Sequence, residues 1–139
     1  MRILVPVDGS AGALRAVKHA AAIVKEGAEV ELVNVQPPMP LYGMVRATMR
    51  APQYRAACAA LAEKALQPAI KLLKRARVAH RAHVLYGEPG VVVADAARRL
   101  KCRAIVMGTR GQGAVGNLLL GSVATKVVYL AKVPVTLVR

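Results

Sequence analysis

The sequence MGTRGQGAVGNLLLGS, residues 107–122, determines the predicted fold because it joins an apolar run to an amphipathic segment through a glycine-rich loop. Five of the chain's eleven glycines lie in this stretch. Glycine has no Cβ and tolerates positive φ, so the backbone N–H groups of such a loop can converge on an anion. The segment starting at Ser122 has helical spacing, and the positive end of a helix favours phosphate. The stretch therefore predicts a phosphate-binding loop between a strand and a helix.

Strands and helices alternate on both sides of this loop. Five short segments predict strands, and most are apolar runs typical of strands buried on both faces: Arg2–Val7, Val30–Val35, Ala82–Tyr86, Ala104–Met107 and Val133–Val138. Four segments with apolar residues at helical spacing lie between them. The first starts after its N-cap Ser10 and stops at Gly27, the second covers about Gln53–Arg77, the third about Pro89–Lys101, and the fourth starts at Ser122. The alternation predicts βαβ units in a parallel three-layer α/β fold, with residues 1–139 as one domain.

Three local features refine this prediction. Pro68 lies inside the second helix and should kink or divide it. Ser122 is expected to be the N-cap of the last helix, a role compatible with phosphate binding at the same helix end. The segment Gln36–Pro52 contains four prolines and is the one long irregular loop that we expect.

Composition limits the function classes. The chain has no Phe or Trp, so its core must consist of Val, Leu, Ile, Ala and Met. No uninterrupted apolar stretch is long enough for a membrane span, and no signal peptide precedes Asp8, so we expect a cytoplasmic protein. Cys58 and Cys102 lack metal-ligand spacing and fit a reducing compartment. The formal net charge of +14 favours anionic partners of any kind.

Two common phosphate motifs fit the loop poorly. Gly111, Gly113 and Gly116 match the dinucleotide fingerprint GxGxxG, but that fingerprint needs an acidic residue about 20 positions later, and no Asp or Glu follows Asp95. The spacing from Gly116 onward matches a P-loop, but Ser122 stands where the phosphate-binding lysine belongs. Neither a dinucleotide enzyme nor an ordinary P-loop NTPase is therefore predicted.

A third pattern fits better: Gly108, Gly111, nine residues, then Gly121 and Ser122. It resembles the ATP-binding signature of the universal stress protein family. The resemblance extends over essentially the whole chain, through the segments PVDGS (6–10), VNV (33–35), YGEP (86–89) and VPVTLV (133–138). Asn34 departs from the family pattern, since many relatives carry His there.

The resemblance implies a fold and a set of binding residues. The fold is a Rossmann-like open sheet of the adenine nucleotide α-hydrolase type, with strand order 3-2-1-4-5. This order reverses between strands one and four, where Asp8 and Gly108 end their strands, whereas the flavodoxin-like order 2-1-3-4-5 would leave the glycines away from the crevice. By resemblance, Gly108, Gly111, Gly121 and Ser122 hold the phosphates and ribose of ATP, or of AMP or ADP. Asp8 binds the nucleoside side, and four residues surround the adenosine: Pro6, Val35, Met107 and Val123.

The resulting hypothesis is a nucleotide-dependent regulator in stress response rather than an enzyme. No Ser-His-Asp set, paired carboxylates or metal cluster appears, so no catalytic or metal-binding residue is predicted. The resemblance also allows slow ATP hydrolysis, or autophosphorylation on Ser122 or a nearby Thr. Because the loop itself offers no carboxylate, Mg²⁺ or Mn²⁺ would bridge the phosphates. His80 and His83 face opposite sides of a strand and do not suggest a metal pair.

Two other classes remain as alternatives. The first is an adenylating enzyme of related fold, although residues 8–12, DGSAG, match its phosphate loop poorly. The second is a basic protein that binds nucleic acid or another anion, for which charge is the only support, since stacking aromatics are limited to four Tyr. The last strand, 133–138, should lie at a sheet edge, and an unprotected apolar edge tends to pair with another chain. The resemblance implies a homodimer, since universal stress proteins commonly form one through this strand.

Overall fold

A computed structural model describes residues 1–38, 50–111 and 119–139 of the chain. Most of the predicted loop from Gln36 to Pro52, and the glycines at 113 and 116, lie outside the described residues. Within the described ranges, no helix is long and apolar enough to cross a bilayer.

Strands and helices alternate along the chain as the sequence predicts. The strands are β1 (Arg2–Pro6), β2 (Glu29–Gln36), β3 (Ala79–Tyr86), β4 (Ala104–Gly108) and β5 (Val135–Val138). The helices are α1 (Ala11–Ile23), α2 (Ala51–Arg75), α3 (Pro89–Arg99) and α4 (Ser122–Leu130).

The five strands form one parallel sheet in the order β3-β2-β1-β4-β5, which confirms the predicted order 3-2-1-4-5. β1 pairs with β2 on one side and β4 on the other, so the reversal of strand order falls between β1 and β4. Ligands of open α/β sheets bind outside the carboxyl ends of the strands at such a reversal. β5 lies at a sheet edge, as predicted.

Two apolar layers cover the sheet. One lies under α1 and α2, where Val17 and Leu73 pack on strand residues such as Ile3. The other lies under α3 and α4, where Val93 and Val127 are fully or almost fully buried. Aliphatic side chains fill both layers, because strands buried on both faces must be apolar on both faces.

Pro68 does not divide α2, which continues unbroken from Ala51 to Arg75. Proline removes the hydrogen bond to the carbonyl four residues earlier, here that of Lys64. Both residues are exposed, so water can satisfy this carbonyl, while the buried positions Leu66 and Ala69 hold the flanking turns on the core. The expectation that Pro68 divides the helix is wrong, whereas a kink at this residue stays a prediction.

Several predicted ends of helices and strands differ from the structure by one to four residues, and two of them lie at helix ends that the sequence motifs singled out. α1 ends at Ile23 rather than at Gly27, which occupies the following turn with φ 79°. The N-cap of α4 is Gly121, whose extended backbone has φ −71° and ψ 164°, and Ser122 is the first helical residue. The N-cap makes no side-chain hydrogen bond, so within residues 1–38, 50–111 and 119–139 the first-turn N–H groups of α4 have no side-chain acceptor.

Candidate functional site

A cavity of about 420 Å³ lies outside the carboxyl ends of β1 and β4. Its volume is within the usual range for small-molecule sites. All nine residues predicted as binding residues line it: Pro6, Asp8, Val35, Met107, Gly108, Gly111, Gly121, Ser122 and Val123. The fold thus brings together residues that are up to 117 positions apart in the sequence. Their role in binding stays a prediction.

Asp8 holds the turn between β1 and α1. Its Oδ1 accepts a hydrogen bond from the Ser10 N–H at 2.9 Å, and the Ser10 Oγ accepts one from the Ala13 N–H at 3.1 Å. Ser10 is therefore the N-cap of α1, as predicted, and Asp8 does not cap this helix. The carboxylate lies at the cavity wall.

Gly111 packs directly against Asp8. A Cβ at position 111 would overlap the Asp8 Oδ2, so any other residue would displace the carboxylate or the loop. The same wall is tight at Gly108, where a Cβ would lie 3.0 Å from the carbonyl carbon of Gly12. A Cβ at Gly12 would in turn lie 2.7 Å from the carbonyl oxygen of Arg110. Three glycines thus let the β1–α1 turn, α1 and the β4–α4 loop meet at the cavity.

Gly121 differs from these glycines because the protein leaves room for a side chain there. A Cβ at position 121 would meet the carbonyl oxygen of Thr109 at 3.4 Å and the Cα of Arg110 at 3.5 Å, which are ordinary contacts. Its φ of −71° suits any residue. Packing against the described residues therefore gives no reason for glycine at this position of the cavity wall.

The cavity has an apolar side and a polar side. The apolar side chains of the lining are those of Pro6, Val35, Met107 and Val123, together with Val33 and Val93, which the sequence motifs did not single out. The polar side consists of backbone from Gly108 to Gly111 and the uncapped start of α4. Arg110 is exposed and lies in this wall. Such a division suits a ligand with one flat apolar end and one anionic end.

Two buried amides support the cavity from behind. The Asn34 Nδ2 donates to the carbonyl of Val7 at 2.8 Å, and the Gln36 Nε2 donates to the Asn34 Oδ1 at 2.8 Å. Gln36 thereby fixes the orientation of the Asn34 amide, and Asn34 holds the backbone one residue before Asp8. This role was not predicted from the sequence, although two amides at alternating positions of an apolar strand were a visible signal.

The histidines of β3 do not form a ligand pair. The His83 Nε2 lies 2.6 Å from the Glu31 Oε2, whereas the His80 Nδ1 lies 2.8 Å from the carbonyl oxygen of Val78. Among the described residues, no group of three His, Cys, Asp or Glu side chains could hold a metal ion. Burial, with a smaller contribution from Glu31, raises the pKa of the Cys102 thiol to about 11, so this thiol stays protonated near neutral pH.

Comparison with protein families gives one match over the full chain. The sequence model of the Universal stress protein family matches residues 1–139. A universal stress protein of Thermus aquaticus is 37% identical over 146 aligned residues, covering 99% of this chain and 97% of the relative. A universal stress protein from Methanocaldococcus jannaschii is 34% identical over 142 aligned residues, covering 99% of this chain and 81% of the relative.

Solved structures of similar fold agree with the strand order. The universal stress protein UspA from Lactobacillus plantarum superposes with a TM-score of 0.85 at 24% identity, covering 100% of this chain and 97% of that one. A universal stress protein from Archaeoglobus fulgidus superposes with a TM-score of 0.77 at 28% identity, covering 100% of this chain and 98% of that one. The Archaeoglobus fulgidus protein in complex with dAMP gives 0.73 at 24% identity, covering 100% and 98%. At 24% identity, the first and third of these likenesses concern the fold.

Proposed function

Because the chain belongs to the universal stress protein family, we propose that it binds ATP in the cavity between β1 and β4 and acts as a nucleotide-dependent regulator in stress response. The observation that carries this proposal is the gathering of all four signature residues, Gly108, Gly111, Gly121 and Ser122, around one cavity with Asp8. The dAMP complex of the Archaeoglobus fulgidus protein supports an adenine nucleotide as the ligand class.

The two sides of the cavity suit the two ends of this ligand. Pro6, Val35, Met107 and Val123 enclose the adenosine, whose base presents flat apolar faces. The carboxylate of Asp8 accepts hydrogen bonds from the nucleoside. The opposite assignment would place phosphate against aliphatic side chains, where a charge loses its hydration without compensation.

The phosphates lie against the glycines and the start of α4. Backbone N–H groups in the first turn of a helix lack intrahelical partners, and the helix dipole makes this end positive. At Gly121 no side chain competes for these N–H groups. Arg110, in the same wall, adds a cation. Mg²⁺ or Mn²⁺ would be held through the phosphates, since Asp8 is the one acidic side chain among the described residues that line the cavity.

The regulator role needs no catalysis. The described lining contains one carboxylate and no histidine or cysteine, so it offers few groups for general acid–base work. We infer that the bound nucleotide is the signal and that hydrolysis or autophosphorylation at Ser122 is slow. The regulator acts in the cytoplasm as a homodimer formed through β5, whose outer edge pairs with no other strand among the described residues.

Identification of the nucleotide that accompanies the purified protein tests this function. The protein is purified under mild conditions, denatured, and its released small molecules are analysed by mass spectrometry. We expect AMP, ADP or ATP in the wild type and a strongly reduced amount in a folded Gly111→Val variant, whose side chain would displace Asp8. An equal amount in both proteins, or a ligand that contains no adenine, would contradict the proposal.

A further inference from the structure

The topology brings cations from separate segments of the sequence to one end of the molecule. Helices of parallel βαβ units run opposite to the strands, so helix C-termini and strand amino ends share an edge. Two hydrogen bonds align these ends: the Glu29 N–H donates to the carbonyl of Met1, and the Arg103 N–H donates to that of Arg2. We call the cations of this edge the basic pole, namely Lys25, Lys74, Arg75, Arg77, Arg98, Arg99, Lys101, Arg103 and Lys132, all exposed.

The basic pole is far from electrically balanced. Its turns and helix ends carry two acidic residues, Glu26 and Asp95. A third acidic residue at this edge, Glu29 at the start of β2, pairs with Arg2 and Arg81, which are not counted among the nine cations. Asp95 pairs with Arg98 and Arg99 at 2.7 Å each, and the hydrogen bond from Arg98 lowers the pKa of this carboxyl. The other seven cations form no ion pair within the ranges that the structure describes. The excess at the basic pole is half of the net charge of +14.

Helix dipoles do not account for this excess. Each helix C-terminus carries about half a negative charge, so four of them offset roughly two of the cations. Basic residues in the last turns of α2 and α3 already serve that purpose. The surplus therefore needs another reason.

Two of the cations occupy backbone positions that glycine adopts with less strain. Arg77 and Lys101 follow the ends of α2 and α3 with φ 55° and 54°, in the left-handed region. Both turns have the Schellman hydrogen bonds, from Val78 N–H to the Leu73 carbonyl and from Cys102 N–H to the Ala97 carbonyl. Glycine is the usual residue at this position because a Cβ is strained there. The chain thus keeps a cation at two equivalent turns at the expense of backbone strain.

The cations extend along the row of strand ends. Arg77 precedes β3, Lys25 lies before β2, Arg103 precedes β4 and Lys132 lies before β5. With neighbouring strands about 4.8 Å apart, the row from β3 to β5 is about 19 Å long. A row of this length matches an extended polyanion rather than a single small anion.

An exposed aromatic side chain lies near one end of this row. Tyr129, in the last turn of α4, is 85% exposed and precedes Lys132 by three residues. A solvent-facing tyrosine beside cations is a stacking surface for an unpaired base. The position of Tyr129 beside the cations therefore supports base stacking even though the sequence contains few aromatic residues.

From these observations we propose that the basic pole binds single-stranded nucleic acid, with its cations on the phosphates and Tyr129 stacked on a base. The surface is separate from the cavity: β1 joins the two ends and spans five residues, about 17 Å. Charges at this distance are largely screened at physiological salt, where the Debye length is about 8 Å. The proposal is therefore independent of nucleotide binding in the cavity.

The decisive variant is Arg77→Gly with Lys101→Gly, because it relieves backbone strain while it removes two cations, so that stability should not fall although nucleic-acid binding does. Glycine relieves both left-handed turns, so the melting temperature should rise or stay the same. Loss of two phosphate contacts should lower the slope of log affinity against log salt by about 1.4 and weaken binding of a single-stranded oligonucleotide about 25-fold near 0.1 M salt. The control is Arg55→Gln with Lys64→Gln, which removes the same charge from exposed positions of α2 outside the basic pole.

Fluorescence anisotropy with a labelled oligothymidylate gives these affinities, and the same proteins are titrated with ATP. A Tyr129→Ala variant should bind the oligonucleotide at least roughly fivefold more weakly with an unchanged salt slope, and Tyr129→Trp should restore binding. ATP affinity should be equal in all variants. If the wild type does not bind ATP, that result contradicts nucleotide binding in the cavity and leaves the proposal for the basic pole unaffected.

Three results would overturn the proposal. The first is undiminished oligonucleotide affinity in the double-glycine variant. The second is an equal loss in the Arg55 and Lys64 control, which would mean that net charge alone attracts the strand. The third is co-sedimentation with phosphatidylserine-containing vesicles that depends on Arg77 and Lys101, without oligonucleotide binding, which would identify a lipid surface instead.

Discussion

The Gly121→Ala variant tests whether position 121 requires glycine for ligand binding or for folding. At this position a Cβ would make contacts of 3.4 Å or longer with the described part of the chain, and the backbone is already in a region open to alanine. Alanine is the poorer N-cap by about 1 kcal/mol, but it also loses less entropy on folding, by about 0.4–1 kcal/mol. The free energy of unfolding should therefore change by no more than about 0.5 kcal/mol.

Nucleotide affinity should fall much more than stability in this variant. A methyl group at the uncapped start of α4 would keep a phosphate oxygen from its closest approach to the N–H groups there. Loss of one charge-assisted hydrogen bond is worth about 2 kcal/mol, so ATP should bind about 30-fold more weakly. Isothermal titration calorimetry gives the affinity, and urea denaturation gives the stability.

Gly27→Ala is the matched control. Gly27 has φ 79°, a Cβ added there would meet no atom within 4 Å, and the residue lies in the turn after α1, away from the cavity. Alanine there is strained, so the protein should lose about 1 kcal/mol of stability while ATP affinity stays unchanged. Wild-type ATP affinity in a folded Gly121→Ala protein would show that no phosphate lies against this glycine.

Three further predictions concern other parts of the structure. Asn34→Leu should lower the free energy of unfolding by about 2 kcal/mol, measured in urea, because it leaves the Val7 carbonyl and the Gln36 amide buried without partners; a change below the error of the measurement would contradict this. Leu137→Lys should convert a dimer to a monomer in multi-angle light scattering, since Leu137 is 38% exposed on the edge strand β5, and an unchanged mass would exclude this interface. Cys102 should react with a thiol reagent at pH 8 at least about 100-fold more slowly in the native than in the denatured protein, because its raised pKa lowers the thiolate fraction; the same shift means that stability is full below pH 9 and falls as pH rises from 9 to 11, and comparable native and denatured rates would contradict it.

The sequence predicts the strand order and the location of the cavity because both depend on strong local signals. Apolar runs separated by helical segments define a parallel sheet, and the glycines of residues 107–122 indicate which crevice can accept an anion. Local signals were weaker at helix ends. Gly121 and Ser122 can both serve as an N-cap, and the structure assigns the cap to the glycine.

Features that depend on contacts between distant segments were outside the reach of the sequence. Gly12 reads as an ordinary helical glycine until the Arg110 carbonyl is placed beside it. In the sequence, Asn34 is only a departure from a family pattern. The structure shows that its amide donates a hydrogen bond to the Val7 carbonyl, which follows the neighbouring strand. Arg77 and Lys101 read as parts of solvated helix faces, and only the topology brings them to one edge.

Calorimetric titration of the wild-type protein with ATP, at low and at raised salt, is the sharpest test of nucleotide binding in the cavity. We expect one saturable site per chain whose affinity changes little with salt, because the cavity encloses the adenosine and holds the phosphates on fixed backbone N–H groups. An absence of saturable heat, or an affinity that falls steeply with salt as for a diffuse polyanion contact, would contradict this expectation.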